Sequence, residues 1–524
     1  MRKETSRLRI GAVAAIALAV CGQHHLAERA TAAEATVAAA EPIAAGQPVQ
    51  TRHAIAIEGS LLGYSATAGT MRVRLPKTDA EADVFYVSYN TDVEDVGTRP
   101  ITFVFNGGPG SSAAWLHVGG LGPRRLSLGD DGAIPEAPAR LVDNAQTWLR
   151  FTDLVFVDPV GTGFSRAAGK ADAGSSGDGR PFWGIKRDLR ALGEFIRLYL
   201  TRNDRWASPK YLAGESYGGF RAAALVELLP AQLGIELNGA ILISPVIEYT
   251  LNLGSDYLNV MPWVTFVPSY AAAAFHHGRY QGAGSLTLKQ ISEQAEAFSR
   301  GELLLALASG GLHRSVEMRE VLAHLAAITG LDLDEVQRQR GRITAEIFAT
   351  RLLKDRGRVL GIYDASVSAP DPEPFNSAYP TRDPSLDPLI APVVSSFNAY
   401  VRDELNYRTD LSYELMNPDV ARAWNWAEAG LGDLPGVGQR LRTALSLNPK
   451  LKVLLAHGYF DLATPYFASK YVVERLELDE AIFPNLQLSV YSGGHMFYIR
   501  SDAREQFYAD AKALYETSSK ASPR

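Results

Sequence analysis

The sequence predicts an α/β fold, in which a mostly parallel sheet forms the core and a largely helical cap is inserted into it. The first observation is a set of short, nearly continuous apolar runs, which are typical of strands buried on both faces of a parallel sheet. The second is that helical patterns lie between some of these runs, because α/β folds alternate strands with helices. The runs cover residues 101–105, 154–157, 211–213, 240–243, 453–456 and 486–491.

Other elements of the predicted core can be read from periodicity. Residues 71–75 and 83–89 alternate between apolar and polar side chains, which predicts a hairpin of half-buried strands. Apolar residues at spacings of four and three predict a helix over residues 185–199, and a second helix over 220–229 follows a glycine-rich turn. The apolar face of the first helix consists of Ile185, Leu189, Leu192, Ile196 and Tyr199.

A long insertion separates the last two apolar runs from the others, which stop near residue 245 and resume near residue 452. It contains helical stretches around 287–310, 315–329 and 334–354, followed by a proline-rich passage from Pro370 to Pro392. The aromatic-rich segment 261–266 is expected either to line a pocket under the cap or to form cap core, since both have this composition. The predicted division is residues 51–249 and 450–520 for the α/β core and residues 250–449 for the cap.

The N-terminus predicts export. Basic residues precede a short apolar run over 11–20, and Ala30-Thr31-Ala32 offers a small-x-small cleavage site, so residues 1–32 are predicted to be a signal peptide. The apolar run is too short for a membrane span, which needs about 20 residues. The Ala-rich residues 33–50 are expected to form a flexible leader. A lipid anchor on Cys21 is the alternative, disfavoured because Val20 is bulkier than the residue that usually precedes such a cysteine.

Composition narrows the class of protein. A hydrophobic share of 46% and a charged share of 21% are ordinary for a soluble globular chain. A net charge of −6 does not match the basic surface of a nucleic-acid-binding protein. Cys21 is the only cysteine, so the mature chain has no disulfide and relies on its core, which fits a periplasmic or secreted bacterial protein of this size.

Polar or glycine-rich segments follow the apolar runs, and this is where chemistry is expected. Ligands bind beyond the carboxyl ends of parallel strands, so these segments should converge in one crevice. They are residues 106–112, 158–165 and 214–219, with Asp461 and His495 after the last two runs.

Residues 214–218 have the form Gly-x-Ser-x-Gly, which in a strand–turn–helix context is the nucleophile elbow of an α/β-hydrolase. Ser216 is therefore the candidate nucleophile. A serine hydroxyl needs a base that a third group orients, and in this fold the chain order is serine, acid, histidine. His495 and Asp461 satisfy that order, whereas His457 is expected to be structural.

An oxyanion hole needs backbone N–H donors that point to the developing alkoxide. The residue after the nucleophile, Tyr217, and the glycine-rich turn at 107–110 can supply them. That turn is not a phosphate-binding P-loop, because no Lys-Ser or Lys-Thr follows it. No metal or other cofactor is expected, since there is no His-Glu-x-x-His motif and the adjacent His276 and His277 point to different sides.

Taken together, these segments resemble the serine carboxypeptidases, peptidase family S10, over about residues 60–250 and 450–515. The resemblance implies a serine-type carboxypeptidase that removes single residues from peptide C-termini. It also implies that Asn106, Gly107 and Glu215 bind the substrate carboxylate and that Gly108 and Tyr217 donate to the oxyanion. The motifs that carry it are residues 106–112, 143–148, 158–165, 182–184 and 214–219, with the turns around Asp461 and His495.

A carboxyl group facing a substrate carboxylate must be protonated, because like charges at hydrogen-bond distance raise one pKa strongly. Peptide binding should therefore be best in acid and weaken as Glu215 ionises. The sequence departs from the family at Gly120, where many relatives have a second glutamate, and Ser111 replaces a common cysteine. The Gly-Asp that often precedes the catalytic aspartate is Gly458-Tyr459 here.

Two alternatives remain open. An esterase or acyltransferase on the same fold would use the same triad, since fold does not fix the substrate. A non-catalytic binding protein is disfavoured, because nucleophile, base, acid and oxyanion donors are all present in the sequence.

Overall fold

The computed structural model describes residues 48–92, 97–134, 136–169, 178–253, 258–310, 315–429 and 435–520. The predicted signal peptide, with Cys21 and its cleavage site, lies outside these residues, as does most of the predicted leader. The first strand begins at Val49, within the stretch expected to be a leader.

A ten-stranded sheet forms the centre of the described chain, in the order β1-β2-β3-β7-β4-β9-β10-β13-β14, with β8 paired to β3. The strands from β7 to β14 along this order run parallel, and β1, β2 and β3 add an antiparallel edge. The strands are β1 Val49–Ile57, β2 Ser60–Arg74, β3 Glu81–Thr91, β4 Ile101–Phe105, β5 Arg124–Leu126, β6 Leu141–Asp143, β7 Asp153–Val157, β8 Arg166–Ala167, β9 Lys210–Glu215, β10 Gly239–Ile243, β11 Arg358–Leu360, β12 Ser368–Pro370, β13 Lys452–Gly458 and β14 Leu486–Tyr491. β5 pairs with β6 and β11 with β12 in two small separate sheets.

Helices cover both faces of the sheet and fill the insertion between β10 and β13. They are α1 Ala114–Leu116, α2 Ile185–Arg202, α3 Tyr217–Leu233, α4 Met261–Thr265, α5 Val267–His276, α6 Leu288–Phe298, α7 Leu304–Ala308, α8 Val316–Thr329, α9 Leu333–Arg338, α10 Ala345–Arg351, α11 Asp387–Asp403, α12 Pro418–Ala423, α13 Gly438–Leu447, α14 Tyr466–Val473 and α15 Ser501–Lys520. Within the ranges given above, no helix combines the length and apolar composition that a membrane crossing needs.

Apolar side chains pack on both faces of the sheet, which explains the unbroken apolar runs in the sequence. On β10, Leu242 belongs to the cluster under α2 and α3, whereas its neighbour Ile241 belongs to the cluster under α11 and α15. Successive side chains of a strand point to opposite faces, so both must be apolar when both faces are covered. Burying a side chain of this size contributes about 1.5–3 kcal/mol.

The helices α4 to α10 of the insertion form an apolar cluster around Tyr270, Leu325 and Phe348. Residues after β13 also join it, namely Phe460, Leu462, Tyr466 and Phe467. The later part of the insertion packs elsewhere, since Phe397 of α11 and Val420 of α12 join the clusters on the two faces of the sheet. The division into core and cap at residues 250 and 449 stays a prediction.

The proline-rich passage does not remain irregular throughout, because α11 begins at Asp387 and runs through Pro388 and Pro392. Pro388 lies in the first turn of the helix, where the missing N–H of proline has no partner in any case, whereas Pro392 lies further inside it. The mostly parallel sheet with helices on both faces confirms the predicted α/β-hydrolase fold.

Candidate active site

Ser216 lies at a sharp turn between β9 and α3, as the sequence predicts for a nucleophile elbow. Its backbone has φ 60° and ψ −124°, a conformation that non-glycine residues rarely adopt and that functional sites often hold. A Cβ on Gly214 would lie 2.0 Å from the carbonyl oxygen of Gly218, so only glycine permits the chain to turn this tightly. The turn leaves the Ser216 side chain facing the cavities described below.

His495 and Asp461 meet at the ends of the last two parallel strands. The Nδ1 atom of His495 lies 2.8 Å from Oδ2 of Asp461. Asp461 is fully buried, and its Oδ1 accepts backbone N–H bonds from Ala463 at 2.8 Å and Thr464 at 2.9 Å. These bonds fix the carboxylate, so it can orient the imidazole and stabilise its protonated form.

The charge environment of His495 favours protonation. Burial lowers the pKa of the imidazole, but the Asp461 carboxylate, with a smaller contribution from Glu215, outweighs it, and the pKa is raised above its ordinary value. The backbone N–H of His495 donates to the Tyr363 carbonyl at 2.6 Å, which fixes the loop that carries the ring.

A cavity of about 70 Å³ brings most of the predicted site residues together. Ser216 and His495 line it, while Asp461 lies behind the imidazole. A Cβ on Gly107 would lie 2.5 Å from the backbone nitrogen of Tyr217, so the glycine-rich turn approaches the elbow as closely as backbone allows. The other predicted site residues on the wall of this cavity are Asn106, Gly107, Gly108 and Glu215.

Glu215 is a buried carboxyl group beside the nucleophile. The Tyr498 hydroxyl donates to its Oε1 at 2.8 Å, and the Asn106 side-chain amide donates to its Oε2. Burial raises the pKa of Glu215 to about 7, although His495 and the two donors favour the ionised form. The side chain therefore changes protonation near neutral pH, inside the cavity that Ser216 lines.

Comparison with known protein families shows a similarity over part of the chain. Residues 64–266 match the serine carboxypeptidase family. This segment contains the glycine-rich turn and the serine elbow, whereas Asp461 and His495 lie beyond it. This segment of the chain is therefore similar to the serine carboxypeptidases.

Individual relatives cover only part of the chain. Serine carboxypeptidase-like 8 of Arabidopsis thaliana is 30% identical over 171 residues, which is 31% of this chain and 36% of the relative. The pheromone-processing carboxypeptidase KEX1 of Cryptococcus gattii is 32% identical over 142 residues, 25% of this chain and 18% of the relative. The chain thus spans about a third or less of the length of these curated relatives.

Among solved structures, the peroxisomal α/β-hydrolase Lpx1 of Saccharomyces cerevisiae aligns over 88% of this chain and 91% of its own. The identity is 11% and the TM-score 0.35, so the fold assignment rests on the strand order and the serine elbow described above.

The departure from the serine carboxypeptidase pattern at Gly120 has a structural counterpart. The Tyr498 ring lies against this position, because a Cβ on Gly120 would be 3.1 Å from its Cδ2 atom. The same tyrosine donates to Glu215. A phenol thus stands beside Glu215, a contact that no local motif signals.

Arg221 is a further residue that the sequence analysis missed. It lies in α3, is fully buried, and forms an ion pair with Asp188 of α2 through Nε–Oδ2 at 2.8 Å. Its Nη1 donates to the carbonyl of Asn106 and, at 3.4 Å, to that of Gly107. These carbonyls belong to the peptide units whose N–H groups are those of Gly107 and Gly108, so Arg221 fixes the orientation of both units.

The remaining histidines named in the sequence analysis lie apart from this cavity. His457 is buried within β13, and burial lowers its pKa to about 4, so the ring is neutral at neutral pH. His276 and His277 lie at the end of α5, where the His277 Nε2 is 2.8 Å from the Ala365 carbonyl oxygen. Among the described residues, no group of three histidine, cysteine or acidic side chains is placed to hold a metal ion.

Ser216 also lines a second, larger cavity of about 460 Å³. The two cavities share Gly108, Ser216, Tyr363 and Leu386. Trp263 and Phe266, from the aromatic-rich segment, line the larger cavity and also join the apolar cluster of the insertion. An extended substrate can therefore have one part in each cavity.

Proposed function

We propose that this protein is a serine-type carboxypeptidase that hydrolyses the last peptide bond of a chain through an acyl-enzyme. The observation that carries the proposal is the Asn106–Glu215 pair in the cavity that Ser216 and His495 line. Neither a general esterase nor a lipase needs a buried carboxyl group aimed at the leaving side of the substrate.

In the proposed reaction, the terminal carboxylate binds the Asn106 amide, the Gly107 N–H and the protonated carboxyl of Glu215. Glu215 must be neutral to donate this hydrogen bond, and its raised pKa makes the neutral form available in acid and up to about neutral pH.

Ser216 Oγ then attacks the scissile carbonyl and passes its proton to His495 Nε2. The N–H groups of Gly108 and Tyr217 stabilise the oxyanion, and each such donor is worth on the order of 10²–10³ in rate. His495 gives the proton to the leaving amine, the C–N bond breaks, and the free C-terminal amino acid departs. A water molecule, deprotonated by His495, hydrolyses the acyl-enzyme and regenerates the serine hydroxyl.

Product analysis on a short peptide tests this proposal. We expect stepwise release of single amino acids from the C-terminus, and much slower hydrolysis of the same peptide as a C-terminal amide. The Ser216→Ala variant should lose at least about 10³-fold in kcat while still folding. Equal rates on the free acid and the amide would contradict the carboxypeptidase assignment.

An esterase or acyltransferase remains the second candidate. The larger, mostly apolar cavity beside Ser216 can take the acyl group of a peptide or the acyl group of an ester. A simple ester without a carboxylate separates the two. Hydrolysis of that ester at a higher kcat/KM than any peptide acid would favour the second candidate.

We also propose that the protein is a bacterial exported enzyme, in the periplasm or secreted, with residues 250–449 as a cap over the active site. The basic head and apolar run at the N-terminus support export. The relatives reported above come from a plant and a fungus, so the bacterial origin rests on the sequence pattern alone. Fractionation of a native host tests export, and N-terminal sequencing of the mature chain tests cleavage of the N-terminal segment.

A further inference from the structure

We infer that this protein selects its substrates by size on the two sides of the scissile bond, releasing a small C-terminal residue that follows a large apolar one. The inference rests on the proposed carboxypeptidase function, and it names the peptides that such an enzyme would prefer.

The positions of the proposed carboxylate-binding residues decide which cavity holds which part of the substrate. Asn106, Gly107 and Glu215 line the small cavity and are absent from the wall of the large one. The terminal carboxylate belongs to the residue that leaves, so the small cavity receives the leaving residue. The acyl part must then extend into the large cavity, which Ser216 also lines.

The leaving residue has little space. The small cavity measures about 70 Å³, whereas an engineered apolar cavity of about 150 Å³ is of the size that binds a benzene ring. The cavity must also hold the carboxylate and the α-carbon of the residue. A side chain of the size of alanine fits there, and an aromatic ring does not.

The walls of the small cavity are fixed by surrounding structure. Trp115, Leu386 and Met496 line it and are themselves buried. Met416 closes another side, and its backbone pairs with Ser111 at the glycine-rich turn. A larger leaving residue would have to displace these side chains from a packed environment, which is costly in a close-packed protein.

The cavity for the acyl part of the substrate is much larger than the cavity for the leaving residue. At about 460 Å³, the large cavity is in the range of about 300–1,000 Å³ that accommodates whole small ligands. Aromatic side chains, which offer large apolar surfaces, line it. They include Tyr249, Trp263, Phe266 and Tyr270, while Glu346, Asp383 and Asp387 add carboxyl groups to a wall that is mostly apolar.

Two N-blocked dipeptides of the same composition give the test, one ending in Phe-Ala and the other in Ala-Phe. We expect kcat/KM to be roughly tenfold or more higher for the peptide that ends in Phe-Ala, since pockets of this kind discriminate by at least that factor. Equal values, or a preference for Ala-Phe, would overturn the inference. Cleavage of neither peptide, with hydrolysis of an ester intact, would instead contradict the proposed carboxypeptidase function.

Variants at Met416 assign the effect to the small cavity. Met416→Ala enlarges that cavity and should raise the relative kcat/KM for the Ala-Phe peptide by several-fold. Met416→Leu nearly conserves volume and should keep the wild-type ratio. If both variants shift the ratio equally, or neither does, Met416 does not set the size limit.

Product inhibition gives a second measurement that needs no variant. Free alanine should inhibit the wild-type enzyme more strongly than free phenylalanine, because both must bind in the small cavity. Stronger inhibition by phenylalanine would contradict the inference even if the Met416 variants failed to fold.

Discussion

At the scale of single residues, the contact between Tyr498 and Glu215 has the most direct bearing on activity. The phenol donates a hydrogen bond to a buried carboxyl group whose pKa burial has raised to about 7. A hydroxyl donor favours the ionised carboxylate, whereas binding of a substrate carboxylate needs the neutral acid. The two requirements oppose each other, so the pH range of peptide hydrolysis should depend on both side chains.

The first prediction concerns Glu215→Gln. In the wild-type enzyme, kcat/KM for a peptide acid should fall as pH rises through about 7, because Glu215 loses its proton. Glutamine donates a hydrogen bond at every pH, so the variant should lack this decline. An N-blocked amino-acid ester, which has no carboxylate, serves as the control and should show the same pH profile in both proteins. A wild-type decline that persists in the variant would exclude this role for Glu215.

The second prediction concerns Tyr498→Phe. Removal of the hydroxyl takes away a donor that lowers the pKa of Glu215, so that pKa should rise. The decline in kcat/KM for peptide acids should therefore move to higher pH, by up to about one unit. A shift to lower pH would contradict the assignment, as would an unchanged profile.

At the scale of elements, Arg221 links α3, α2 and the glycine-rich turn. Both side chains of its ion pair with Asp188 are buried. Removing one partner of such a pair leaves an uncompensated charge and costs about 3–5 kcal/mol, whereas replacing both by apolar residues is often neutral. Stability and catalysis can therefore be separated at this position.

The third prediction follows from that separation. Arg221→Met should lower the free energy of unfolding in urea by about 3–5 kcal/mol, and the double variant Arg221→Met/Asp188→Leu should recover most of it. The double variant still lacks the donor to the Asn106 and Gly107 carbonyls. Its KM for peptide acids should rise on the order of tenfold, since small displacements of binding groups are costly. An unchanged KM in a stable double variant would show that Arg221 only stabilises the fold.

Much of the fold could be predicted at this scale. The runs at 101–105 and 486–491 coincide with β4 and β14, and the predicted hairpin is formed by β2 and β3, where Arg72 lies opposite Asp83. Each of these predictions used the local pattern of apolar residues. Burial on one or both faces of a strand imposes this pattern directly on the sequence.

The contacts that tune the site could not be predicted. Tyr498 is far along the chain from Glu215, as Arg221 is from Asn106, and neither pair belongs to a local motif. Only the folded chain brings them together, because they come from different strands, helices and loops. The predicted roles of Ser216, Asp461 and His495 stay predictions until the variants are assayed.

At the scale of the whole molecule, buried ionisable groups set how stability depends on pH. Asp158 follows β7, accepts the Ala113 N–H at 2.8 Å, and has a pKa raised by burial to about 7. Its contribution to stability is complete below its ordinary pKa of 3.8 and is lost as pH rises through about 7. His117 and His457 act in the opposite sense, since burial lowers their pKa values to about 3 and about 4. Their contributions are present above 6.5 and are lost as pH falls through those values.

The fourth prediction is a difference between two melting curves. Asp158→Asn removes the contribution to stability that grows as pH falls, and it leaves the histidine contributions, which shrink as pH falls. The Tm of the variant should therefore decrease more than that of the wild type between pH 7 and pH 5. Asp79→Asn, at an exposed turn, is the matched control and should follow the wild type. Parallel Tm changes in the Asp158 variant and the wild type would contradict the prediction.

The long insertion between β10 and β13 has a consequence for the synthesis of the chain. The aspartate and histidine that would activate the elbow serine follow it only after more than 200 further residues, in the turns after β13 and β14. A nascent polypeptide thus carries an inert hydroxyl until β13 and β14 emerge from the ribosome. In the proposed enzyme, this order delays the onset of proteolysis until β13, β14 and the turns after them have been made.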